Sequence, residues 1–239
     1  MLLDEWTFPD GLGGVAVWQL KESEDELLRL LSERLPLHAL EALNEGLHPL
    51  HNPARRLEWL AVRVLLTECL GTDKIIAYHP TGYPYLSDHS QEISISHTKG
   101  YVALAWHPSL PVGVDIEHRS DRVMRVASRF INGKEQEMLK ASSWPSPDAE
   151  LLLWTVKESL YKQLRQPALD CLNELTVTLP SAVDMDSSST SVGILTASCC
   201  QSKVESIVRY AILDNAVLSW TMPDDSESLT APYISANRL

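Results

Sequence analysis

No stretch of the 239 residues approaches the ~20 consecutive apolar side chains of a membrane-crossing helix, and no cationic segment leading into an apolar run stands at Met1. A soluble, cytoplasmic protein is therefore expected. Basic charge is also scarce: 20 Lys and Arg against 32 Asp and Glu give a formal net charge of −12. A surface of that sign repels nucleic acid and anionic membranes, so neither is an expected partner, and any anionic ligand must meet a local basic patch. The four cysteines, Cys69, Cys171, Cys199 and Cys200, lack C-x-x-C or Cys/His ligand spacing, and adjacent residues such as Cys199 and Cys200 seldom bridge. A reducing compartment is the simplest home. What is present is an ordinary globular composition, 44% hydrophobic, in a chain long enough for one large domain or two small ones.

Strand and helix patterns alternate along the chain. Gly13–Leu20 reads as a strand, and Ser23 with Glu26 forms a capping box for a helix toward Arg34. A short helix over Pro36–Leu43 precedes Asn52 and Pro53, an N-cap followed by a favoured first helical residue. From there Leu57, Leu60, Ala61, Val64 and Leu65 recur at helical spacing until Gly71. Strands are expected at Lys74–Tyr78, Glu92–Ser96 and Tyr101–Trp106, with turns at Thr81–Leu86 and Thr98–Gly100. The second half repeats the scheme. Helices are expected at Arg122–Phe130, at Lys134–Ala141 and in a long run capped by Asp148, and strands at Glu174–Leu179, Lys203–Asp214 and Ala216–Met222. Ser181–Ser191 reads as a mobile loop, and the end of the chain as a loosely held tail.

The stretch Val112–Glu117 separates the halves. In an extended strand side chains at i and i+2 share a face, so Asp115 and Glu117 project together while Val114 and Ile116 face the other way, and Gly113 is expected to keep the acidic face open. Two adjacent anions need a cation. On the long helix, Trp154, Glu158, Tyr161 and Lys162 share one broad face, which places a third carboxylate and an ammonium one turn apart on an otherwise apolar element.

The pair of motifs Gly113-Val114-Asp115-Ile116-Glu117 and Trp154-Thr155-Val156-Lys157-Glu158-Ser159-Leu160-Tyr161-Lys162, with Ile95-Ser96-His97-Thr98 upstream, resembles the signature of the 4'-phosphopantetheinyl transferases, in particular the surfactin-synthetase-activating type. That resemblance implies an α+β fold of two similar α/β subdomains related by pseudo-twofold symmetry, with the site at their interface. The expected parts are an N-terminal subdomain over residues 1–110, a C-terminal subdomain with the metal site over 111–222, and a tail over 223–239. It implies a monomeric enzyme that moves the 4'-phosphopantetheine group of coenzyme A to a serine of an apo acyl, peptidyl or aryl carrier protein, leaving adenosine 3',5'-bisphosphate.

The same resemblance implies residue roles. Asp115, Glu117 and Glu158 would hold Mg²⁺, a hard cation that prefers carboxylates. Glu158 would accept the serine proton, Lys162 would neutralise charge on the leaving phosphate, Lys157 would assist the phosphates, and His97 would contact the 3'-phosphate of coenzyme A. Two departures from the family pattern stand out. Tyr83 in Gly82-Tyr83-Pro84 replaces a basic residue at the nucleotide phosphate, for which Arg55, Arg56, Arg63 and Lys99 are candidate substitutes, and Gln163–Asp170 replaces a Gly-rich connection. Arg122, Arg125 and Arg129 form a basic stripe suited to an acidic carrier protein. The competing reading is a catalytically weak relative that only binds coenzyme A or a carrier protein.

Overall fold

The computed structural model describes residues 1–166, 168–180, 191–200 and 204–221. The Ser-rich segment 181–190 and the tail expected over 223–239 lie outside those residues. Two compact units divide between Ser109 and Leu110. Among the described residues every strand pair is antiparallel.

The N-terminal unit holds β1 (Leu2–Thr7), β2 (Gly14–Gln19), α1 (Glu24–Ser32), α2 (Leu37–Leu47), α3 (Pro53–Leu70), β3 (Ile76–Tyr78), β4 (Pro84–Leu86), β5 (Glu92–Thr98) and β6 (Tyr101–His107). Its main sheet runs β1-β2-β6-β5, and β3 with β4 makes a separate hairpin. The local signals act where they stand. Ser23 and Glu26 exchange both bonds of the capping box, Asn52 caps α3 with Pro53 inside its first turn, and Gly71 ends that helix at φ 100°. The buried stripe of α3, including Leu60, Ala61, Val64 and Leu65, packs into one core with Val102 and Leu104 of β6. The helix expected to end at Leu43 continues to Leu47, and β1 was not anticipated because Asp4 and Glu5 interrupt its apolar pattern.

The C-terminal unit holds β7 (Gly113–His118), α4 (Arg122–Val126) followed by a 3₁₀ turn (Ala127–Arg129), α5 (Gly133–Ala141), α6 (Asp148–Leu164), β8 (Leu175–Thr178), β9 (Ser191–Cys199), β10 (Val204–Ile212) and β11 (Ala216–Thr221). The sheet order is β7-β11-β10-β9-β8, so the acidic strand lies at one edge. Leu152, Leu153, Val156 and Leu160 of α6 are buried among Leu175, Val177, Leu195 and Val208. Each contributes roughly 1.5–3 kcal/mol relative to exposure.

Three expectations need correction. The single helix over Arg122–Phe130 tightens into a 3₁₀ turn after Val126. Pro147, not Asp148, occupies the N-cap of α6, and the Asp148 carboxylate instead accepts a bond from Arg119 Nη2 at 2.9 Å. Gly113 does not keep the acidic face open. A Cβ there would stand 1.9 Å from the Ser159 carbonyl oxygen, so glycine is what lets α6 press its backbone against β7.

Candidate active site

β7 and α6 bring four of the expected residues together. Asp115 pairs in register with Ser219 of β11, whose hydroxyl donates to Ser159 Oγ of α6 at 3.2 Å, so the helix crosses the acidic face of the strand. One turn further, Lys162 Nζ donates to Val114 O at 2.9 Å and to Asp115 Oδ1 at 2.7 Å. Asp115 is 4% exposed. Glu158, a turn before Lys162, is half-buried, and desolvation together with the neighbouring Asp115 carboxylate pushes its carboxyl up to about 7. Lys162 opposes that shift and Glu117 adds to it, so the other three groups all act on Glu158.

Beside them lies a cavity of about 480 Å³ lined by Glu117, His118, Arg122, Trp154, Glu158 and Cys171, among others. Trp154 meets Phe130 edge-on with ring centres 4.9 Å apart, which fixes one wall. Arg122 and Arg129 of the basic stripe border the same space, and both are exposed.

Lys157 is placed elsewhere. It is 0% exposed, and its three donors go to Phe130 O at 2.6 Å, Glu135 Oε2 at 2.8 Å and Cys171 O at 2.9 Å. Burial lowers its pKa although Glu135 opposes the shift. Glu135 was not foreseen. Its carboxylate also accepts from Asn132 N and Val177 N, each at 2.9 Å, so it closes the capping box of α5 and ties that helix to α6 and β8. The spacing Asn132-x-x-Glu135 is a local signal that sequence could have yielded.

His97 and Tyr83 belong to the N-terminal unit. His97, on β5, faces the start of α3: Arg55 Nη1 lies 3.0 Å from its Nε2 and Glu58 Oε2 lies 3.2 Å from its Nδ1. Tyr83 stands at the β3–β4 hairpin and stacks on His79 with ring centres 4.4 Å apart. Of the candidate substitutes for the missing cation, Arg55 adjoins His97, Arg56 pairs with Glu24, and Arg63 lies over Trp59.

Asp115, Glu117 and Glu158 are the carboxylates expected to hold a divalent cation, but among the described residues no group of three or more His, Cys, Asp or Glu side chains is placed to hold one. Three carboxylates stand against one ammonium, and the carboxyl of Glu158 is raised first by desolvation and then by repulsion from Asp115. Lys162 instead occupies Asp115 Oδ1, at 2.7 Å. No helix among the described residues is long and apolar enough to cross a membrane.

An α+β unit with carboxylates and an ammonium clustered between an edge strand and a helix has the makings of a group-transfer site. Residues 111–212 match the sequence model of the 4'-phosphopantetheinyl transferase superfamily, and Asp115, Glu117, Glu158 and Lys162 all fall inside the match. That superfamily domain supports phosphopantetheine transfer in general, with coenzyme A and a carrier protein as the general partners. No curated protein matches the chain in sequence.

Proposed function

We propose that this protein transfers the 4'-phosphopantetheine group of coenzyme A to a serine of an apo carrier protein. The observation that carries this reading is the meeting of Asp115, Glu117, Glu158 and Lys162 within the matched segment. The serine oxygen bonds to the pyrophosphate phosphorus next to the pantetheine. The bond from that phosphorus to the bridging oxygen breaks, and adenosine 3',5'-bisphosphate leaves with the electron pair. Glu158, whose carboxyl is pushed up to about 7, accepts the serine proton directly or through water. Lys162 has two donors engaged on Val114 and Asp115, which leaves its third for a phosphate oxygen.

Asp115, Glu117 and Glu158 are the residues that would hold Mg²⁺, which when bound supplies positive charge to the pyrophosphate oxygens. Arg55 and His97 hold the 3'-phosphate, Arg55 supplying beside His97 the charge that Tyr83 does not. An acidic carrier protein docks along Arg122, Arg125 and Arg129, next to the cavity that Glu117 and Glu158 line. Lys157 is left to the fold.

The test is to incubate the protein with Mg²⁺, coenzyme A and apo carrier proteins of the acyl, peptidyl and aryl kinds, and to weigh the carriers. A mass gain of one phosphopantetheine group supports transfer. Saturable binding of coenzyme A with every carrier left at its apo mass would replace the reading with that of a binding protein.

A further inference from the structure

The N-terminal unit holds a second cavity, of about 500 Å³, which the transfer reaction does not use. It opens beside α2, α3 and β3, and its size falls in the ~300–1,000 Å³ range of small-molecule sites. Leu35, Ala39, Leu43, Leu66 and Ile76 give it apolar walls. Three charged side chains, Arg63, Lys74 and Glu45, interrupt them. The Arg63 guanidinium lies over the Trp59 indole, 3.4 Å from the ring centre, and its Nη1 donates to Trp59 O at 3.1 Å, with the Tyr78 phenol in hydrogen-bonding reach.

None of these partners is anionic. Among the described residues no carboxylate pairs with Arg63, and desolvation lowers its pKa to about 10. The other charged groups on the wall are committed or peripheral: Lys74 is paired to Asp88 at 2.7 Å, and Glu45 is exposed at the rim. The indole that carries the guanidinium is seated by Gly46 in the last turn of α2, where a Cβ would come 2.5 Å from Trp59 Cζ2. Glycine is unfavourable inside a helix, so α2 gives up helix propensity where the ring must fit. Arg55, at His97, lies eight residues earlier on α3, about 12 Å along the helix, so Arg63 serves a different place from the proposed phosphate contact.

A desolvated guanidinium without a counter-ion in an apolar cavity is complementary to one carboxylate on an apolar body. The carboxylate supplies the bidentate partner, and the walls take the hydrocarbon. We propose that this cavity is a binding site for an aliphatic monocarboxylate, recognised through Arg63 on Trp59.

Octanoate and octan-1-ol serve as probes, titrated calorimetrically against the full chain as wild type, Arg63→Gln and Ala42→Phe, with folding checked by circular dichroism. Ala42 lines the cavity, so phenylalanine fills it without changing charge. Octanoate is expected to saturate the wild type and octanol to bind at least ~10-fold more weakly, the scale of a charge-assisted bidentate contact. Arg63→Gln is expected to abolish that preference, and Ala42→Phe to abolish binding of both. Should Arg63→Gln not fold, the wild-type preference and its loss in Ala42→Phe decide the matter. The proposal is overturned if the wild type binds neither probe, binds both equally, or keeps its preference in folded Arg63→Gln or in Ala42→Phe.

Discussion

Lys162 Nζ stands 2.7 Å from Asp115 Oδ1, joining residues 47 positions apart and fastening α6 to the acidic strand with one ammonium. Because Asp115 is buried beside Glu158, Lys162→Met removes the nearest positive charge from a crowded set of anions. The variant should lose on the order of 3 kcal/mol in urea denaturation, and adding Asp115→Asn should recover part of that loss. A single-variant loss within ~0.5 kcal/mol, the range of a surface substitution, would show that the pair does not hold the two elements together.

Glu158 gives a pH signature. Its folded carboxyl titrates at about 7 against an ordinary value of 4.5, so between those values the native state holds a proton that the unfolded chain has released. Stability therefore falls as pH rises from about 4.5 to about 7, by on the order of 2 kcal/mol, and this contribution is constant above that window. Denaturation midpoints of metal-stripped protein across this range should show the decline, and Glu158→Gln should flatten it. A decline of equal size in Glu158→Gln would assign it to another group.

The Lys157–Glu135 pair, fully satisfied and buried, predicts a structural phenotype. Lys157→Met and Glu135→Gln should each cost about 3–5 kcal/mol, with strong non-additivity in the double variant. At a temperature where Lys157→Met is folded, its KM for coenzyme A should match that of the wild type. A raised KM with little loss of stability would instead put Lys157 in contact with the phosphates.

Gly113→Ala tests the approach of helix to strand. The added methyl would meet the Ser159 carbonyl oxygen and carbon, at 1.9 and 2.8 Å, which are backbone atoms that cannot swing aside. A loss of at least ~3 kcal/mol is expected, with transfer activity falling as α6 is pushed away from Asp115. Thermal unfolding indistinguishable from wild type would contradict the packing.

Signals contained in a few consecutive residues were legible before the fold was known. The Ser23/Glu26 box, the Asn52–Pro53 start of α3 and the two carboxylates of β7 each follow from spacing alone. Contacts across long loops were not. Glu135 and Lys157 are 22 residues apart, and only their packing shows that the lysine is spent in the core. Helical geometry hints at this, since Lys157 is on the buried side with Leu153 and Leu160 rather than beside Glu158 and Lys162. β9 (Ser191–Cys199) escaped because Ser, Thr and Gly dilute its strand pattern, and its place between β8 and β10 is set by pairing, not by propensity. The room beside Gly113 is likewise a matter of packing: glycine removes a side chain, and the backbone of α6 at Ser159 fills the space.

Asp115 and Glu158 are the residues on which the proposed phosphopantetheine transfer depends. Its most direct measurement is the single-turnover rate of carrier modification, followed by mass spectrometry with Mg²⁺ and coenzyme A saturating, for the wild type, Asp115→Asn and Glu158→Gln. Complete conversion by the wild type is expected, with rates at least ~100-fold lower in both variants, each with an intact circular dichroism spectrum. Wild-type rates in either folded variant, or no conversion of any carrier by the wild type, would contradict it.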